Sequence, residues 1–144
     1  LTPEEKKLQD RAKRLWKNYR ITLERYEQIF AVQNGCCAIC GRHQSTFTRP
    51  LQVDHYHFKV VAIRATNGWA ASTTLQDGTI IYTTHKTKAK AEEDCRDLAL
   101  PLSVRGLLCP GRYMGCNRLL GRVDRPQWLE NAHTYLLDPP AKKC

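Results

Sequence analysis

The chain has 144 residues, with 23 Lys and Arg against 14 Asp and Glu and a formal charge of +9. That length bounds the fold to one domain with room for a small inserted subdomain, and its core is modest enough that a cross-link or structural metal would help hold it. No apolar run of roughly 18 residues and no charged-then-apolar leader is present, which excludes a helical membrane span and predicts a soluble, untargeted, cytoplasmic chain.

Thr2-Pro3-Glu4-Glu5 predicts a helix start, with Thr2 as N-cap and Glu5 closing a capping box. Leu8, Ala12, Leu15, Trp16 and Tyr19 then share one face, with Lys and Arg on the other. We read that basic face as solvated before reading it as a contact for nucleic acid. A second helix is expected to open at Thr22, carry Leu23, Tyr26, Ile29 and Phe30 as its apolar stripe, and stop by Asn34-Gly35. Residues 1–35 thus form a helical arm.

Leu51 to His55 predicts a short strand. Residues 60–101 read as an insert: Trp69–Leu75 and Thr79–Thr84 flank Gln76-Asp77-Gly78, a hairpin signal. A helix from about Thr87 to Leu100, ended by Pro101, follows. Ser103–Leu108 returns as a strand, a short helix opens near Asn117, and a last helix runs from Pro126 to Leu137. Trp128, Leu129, Ala132, Tyr135 and Leu136 are expected to face inward on it. Residues 138–144 are a tail.

The charge is uneven. Residues 1–30 carry 8 basic and 5 acidic groups, residues 102–144 carry 7 and 3, and the insert is nearly neutral. Arg105, Arg112, Arg118, Arg122 and Arg125 cluster together, and guanidinium forks match phosphate geometry. A polyanion partner and simple solubility are the two readings of that charge.

Seven cysteines, an odd number, argue against a closed disulfide framework and for a reducing compartment. Cys37 and Cys40 form a C-x2-C knuckle, and Cys109 and Cys116 a wider second pair. Two thiolate pairs on separate loops suit a tetrahedral structural Zn²⁺. Cys36, Cys95 and Cys144 are spare, as substitutes or plain thiols, and His43 is an exposed residue that could replace a ligand.

Val53-Asp54-His55-Tyr56-His57 places a carboxylate beside two histidines at the end of a strand. Alternation puts Asp54 opposite to His55 and His57, so a bulge or strand end is needed to unite them. Asn117 directly follows the last cysteine of the second pair, so a metal there would bring its helix against the Asp54-His55 strand.

The stretch from Tyr19 to Glu27, the Gln33–Gly41 turn, Asp54-His-Tyr-His, Val104–Cys109, Cys116-Asn and Trp128–Leu136 together resemble the phage recombination endonuclease VII family. The resemblance implies an α+β fold: a small zinc-stapled ββα-metal (His-Me finger, or HNH) nuclease domain over 36–137, with N-terminal helices and the inserted hairpin-plus-helix. It implies a phage-encoded enzyme of the host-cell cytoplasm that hydrolyses phosphodiester bonds in DNA, double-stranded or branched. Cys37, Cys40, Cys109 and Cys116 would be the Zn²⁺ ligands. Asp54 and Asn117 would hold one Mg²⁺ or Mn²⁺, His55 would be the general base, and His57 would contact the scissile phosphate. Arg105 and Arg118 would clamp phosphate.

Two features depart from that family. An insert of about 40 residues stands where a short turn is expected, its pattern similar to small strand-strand-helix DNA-binding modules or else a decorative subdomain. The further C-terminal helices that help junction resolvases dimerise are not expected after Leu137, which counts against junction resolution and for nicking or double-strand cutting; monomer and homodimer both stay open. A Holliday-junction resolvase is the alternative within the class. A non-catalytic zinc-ribbon DNA-binding protein, or a disulfide-rich secreted factor, would be of another class.

Overall fold

The computed structural model describes residues 1–111 and 115–137. Helix α1 (Pro3–Tyr19) begins with the expected capping box: Thr2 Oγ1 accepts the Glu5 N–H at 3.2 Å and the Glu5 carboxylate accepts the Thr2 N–H at 2.7 Å. It ends at Arg20, whose φ of 54° turns the chain sharply into α2 (Leu23–Val32). Thr22 caps α2 through the Arg25 N–H, and Asn34 and Gly35, both with positive φ, stop it.

Strand β1 (Gln52–His55) pairs antiparallel with β5 (Val104–Leu108), its partner across more than 40 intervening positions. The chain between them forms β2 (Val61–Ala65), β3 (Gly68–Thr74) and β4 (Ile80–His85), an antiparallel sheet in the order β2-β3-β4, followed by α3 (Lys88–Leu102). After β5 come α4 (Cys116–Arg122) and α5 (Pro126–Leu137). No helix among the described residues is long and apolar enough to cross a membrane.

Two cores result. The first gathers Leu15 from α1, Tyr26 from α2, Leu51 and Val53 around β1, and Leu107 and Leu108 from β5, with Cys37 and Cys109 at its edge. The buried Tyr26 hydroxyl donates to the Leu51 carbonyl at 2.7 Å, tying α2 to the start of β1. Gln33, at the end of α2, uses its side-chain amide to accept the Leu107 N–H (2.8 Å) and donate to the Leu107 carbonyl (2.9 Å). With the Ala38 N–H, which also bonds the Leu107 carbonyl at 3.1 Å, that satisfies Leu107 on the edge of β5 that no other strand among the described residues covers. Gly106 makes room for it: a Cβ there would stand 3.0 Å from Gln33 Oε1.

The second core lies between α3 and the three-stranded sheet, with Ala71, Ala91 and Cys95 fully enclosed and Val60, Ala62, Trp69 and Ile81 around them. Small residues at the contact let the helix axis approach the sheet closely. The opposite face of this sheet presents Val61, Ile63, Ile80 and Tyr82 to solvent.

Four sequence expectations need correction. The hairpin is part of a three-stranded sheet, because Val61–Ala65 adds an edge strand. The cue to it is local: Ala65 pairs with Gly68 across the two-residue turn Thr66-Asn67. Helix α3 continues through Pro101 to Leu102. The proline removes one helical bond in the last turn, where the Ser103 N–H closes back onto the Ala99 and Leu100 carbonyls. Leu8 and Trp16 are exposed on α1, which buries only Leu15 fully. Helix α5 has the expected limits, but Trp128 and Tyr135 are 49% and 59% exposed and Leu129 is exposed as well, so these three do not face inward; Ala132 is half-buried, and the Leu136 side chain lies outside what the structure describes.

Candidate active site and metal cluster

The Sγ atoms of Cys37, Cys40, Cys109 and Cys116 all lie within 4.8 Å of one another, and those of Cys40 and Cys109 are 3.9 Å apart. Four sulfurs at about 2.3 Å from one tetrahedral zinc would be about 3.8 Å apart, so the quartet could hold a structural metal ion of that kind. The local backbone sets it up. The Cys37 N–H bonds to the Arg42 carbonyl and the Gly41 N–H to the Cys37 carbonyl, forming the knuckle. Gly115 lets the second loop close: a Cβ there would stand 2.6 Å from the Gly111 nitrogen. Cys116 then opens α4, its N–H donating to Cys109 Sγ at 3.3 Å.

The electrostatics of the thiols differ. Hydrogen bonds from Arg42 pull Cys40 down to about 6, which makes it a thiolate at neutral pH. Burial, reinforced by hydrogen bonds to the neighbouring cysteines, pushes Cys116 up to about 12. Four thiols packed together cannot all ionise without a cation among them, and a divalent ion removes that conflict. Of the spare cysteines, Cys36 bridges to His43 through the backbone and Cys95 sits in the second core. Cys144 lies outside the described residues, as does Arg112. His43 is exposed and spends Nδ1 on Ser45, capping a 3₁₀ turn at Gln44–Thr46.

The β1–β5 ladder shifts register between Asp54 and His55: Asp54 pairs with Gly106, but His55 pairs with Val104. The extra residue is Arg105, so the bulge is on β5, opposite the strand that carries the histidine. Arg105 Nε and Nη2 donate to the two Asp54 carboxylate oxygens at 2.7 and 3.0 Å. Its Nη1 and Nη2 also reach the Asp124 carboxylate, at 3.1 Å each. The paired carboxylates, Asp54 above all, raise the Arg105 pKa further.

His55 is half-buried at the end of β1, its ring 5.2 Å from that of Tyr19 and 4.6 Å from that of His57. Burial lowers its pKa below 6.5, and His57 adds to the effect. Burial also raises the Tyr19 phenol, with a contribution from the Asp54 charge. Asn117, in the first turn of α4, donates its Nδ2 to Gln52 Oε1 at 3.0 Å, which orients its side-chain amide. Arg118 is the next residue and is exposed.

Hence Asp54, His55 and His57 are brought together at one end of β1, and Asn117 stands over the other end at Gln52. Tyr19 links the two, since it touches His55 and lines a groove shared with Gln52, Val53 and Asn117. Sequence reasoning had placed Tyr19 only on an apolar helix face, and it did not single out Gln52 or Asp124. No local spacing marks these three, which meet the site only through the pairing of β1 with β5 and the docking of α1 and α4. No curated protein and no solved structure matches the chain. The family model for recombination endonuclease VII matches residues 12–138, nearly the whole length, and the chain therefore belongs to the recombination endonuclease VII family.

Proposed function

We propose that this chain is a metal-dependent DNA endonuclease that hydrolyses phosphodiester bonds, by nicking or double-strand cutting, with His55 as general base. The observation that carries the reading, in a member of this family, is the half-buried His55 imidazole, packed between Tyr19 and His57 at a strand end opposite the Arg105 bulge. On this reading β1, β5 and α4 are the ββα-metal core, stapled by Zn²⁺ at Cys37, Cys40, Cys109 and Cys116.

Burial keeps His55 unprotonated near neutral pH, so its free nitrogen can take the proton of an attacking water. The Tyr19 ring fixes one side of the imidazole. His57, exposed beside it, contacts the phosphate. Asp54 and Asn117 supply hard oxygen ligands suited to Mg²⁺ or Mn²⁺: the Asp54 carboxylate already holds a cationic partner, and the Asn117 amide is oriented by Gln52. The bound ion would supply charge relief at the phosphoryl and leaving oxygens. Arg105 has five N–H donors, and its pair with Asp124 can hold it in place while those on Asp54 turn to phosphate oxygens. Arg118 adds a second phosphate contact. The products are a 5′-phosphate and a 3′-hydroxyl.

The word recombination in the family's description favours branched DNA as a second substrate reading, that of a Holliday-junction resolvase. The test is cleavage of supercoiled plasmid and of a four-way junction with Mg²⁺, Mn²⁺ or EDTA, using wild type, His55→Ala and Asn117→Ala. Metal-dependent cutting lost in both variants is expected, and preference for the junction identifies a resolvase. Binding of both DNAs without cutting by wild type would overturn the enzyme in favour of a zinc-ribbon binding protein.

A further inference from the structure

On α1, Arg11, Arg14, Leu15 and Asn18 recur at helical spacing on one face. All four line a groove of about 540 Å³, together with Arg49, Pro50, Leu51, Gln52 and Val53 from around the start of β1 and Asn117 from α4. Its floor is apolar, from Leu15, Leu51 and Val53, and three of its lining residues are arginines with no acidic residue among them. Arg11 is half-buried with its guanidinium 4.2 Å from the Tyr26 ring centroid, whereas Arg14 and Arg49 are exposed at the rim. Lys6 and Lys13 point roughly 130–150° away from the centre of that face and lie outside the groove.

We propose that this groove is the track for DNA backbone beyond the scissile phosphate, with Arg14 and Arg49 taking non-scissile phosphates and Arg11 fixed by Tyr26 as a third contact. The inference rests on the endonuclease reading and adds to it where the strand runs. A rim of arginine forks over an apolar floor fits a phosphodiester chain, in which anionic phosphates alternate with weakly polar sugars. Asn117, hydrogen-bonded to Gln52, is itself part of the lining, so a strand lying in the groove passes the proposed cation ligand. The arginines touch no reacting atom and act by positioning. Their removal should weaken binding of substrate and transition state alike, raising KM and sparing kcat.

The experiment compares Arg14→Ala/Arg49→Ala with Lys6→Ala/Lys13→Ala, which removes equal charge from outside the groove. Binding of a labelled DNA duplex is measured by anisotropy without added Mg²⁺ across a salt series, and cleavage kinetics in Mg²⁺. The groove variant should bind roughly tenfold more weakly at moderate salt, with a log K–log salt slope shallower by about 2. Its KM should rise with kcat within about twofold, and the lysine variant should change binding by less than about twofold. Equal losses in the two variants, or a loss of kcat alone, would overturn the track. Wild-type protein that neither binds nor cuts DNA would instead overturn the endonuclease reading, and the track with it.

Discussion

The core around β1 and β5 and the core under α3 are built from opposite materials. The first packs Leu15, Tyr26, Leu107 and Leu108 around strands of four and five residues, and it ends on a cluster of thiols. The second packs Ala71, Ala91 and Cys95 between a 15-residue helix and three strands of five, seven and six residues. A two-stranded ladder is marginal alone, whereas three strands covered by a helix can stand by themselves. The difference shows where stability and chemistry are traded. The regular unit needs little besides its backbone ladder, while the unit with the candidate active site keeps Asp54, His55, Arg105 and Asn117 at a bulged ladder and is closed by a cysteine cluster that could hold a metal.

The sharpest way to break this comparison is Cys109→Ser. Removing one ligand should forfeit on the order of 10 kcal/mol of metal-binding free energy, abolish cleavage and release the amides of β5 and α4 to hydrogen exchange. Amides of β2, β3 and α3 should keep their protection, and loss of protection in both units together would show a single cooperative core. His55→Ala comes next: kcat should fall by about 10² to 10⁴-fold, while zinc content and both exchange profiles stay as in wild type.

Tyr26→Phe sharpens the contrast from within the first core. It leaves the buried Leu51 carbonyl without its donor and should cost about 1–3 kcal/mol, read as a lowered midpoint in urea. The matching change in the second core is Thr83→Val, which removes the 2.7 Å bond from the Thr83 hydroxyl to the Ala91 carbonyl. A loss of about 1 kcal/mol confined to α3 and the sheet is expected, with cleavage unchanged. The smallest effect concerns pH. A general base must be neutral, and burial lowers the His55 pKa, so the acid limb of kcat/KM should have its midpoint below 6.5. A midpoint above 6.5 would mean that the Asp54 charge outweighs burial at this ring.

The local features were legible because each depends on residues three or four apart. Thr2 and Thr22 cap their helices, Asn34-Gly35 stops α2, and Gln76-Asp77-Gly78 turns the chain between β3 and β4. The two cysteine pairs were legible for the same reason, since a knuckle and a loop each present two sulfurs locally. Less could be read for α5: its limits follow from Pro126 and its periodicity, but the exposure of Trp128 and Tyr135 depends on what the rest of the fold offers it.

By itself, then, the sequence determined the helices, their caps, the β3–β4 turn and the pairing of thiols, because hydrogen bonding and ligand spacing at short range leave few alternatives. Tertiary structure alone decided that the bulge lies at Arg105, that Arg105 bridges Asp54 to Asp124, and that three arginines from α1 and the loop before β1 meet in one groove. Each of these joins residues distant in the chain, and such contacts are chosen by which surfaces remain to be covered once the local elements have formed.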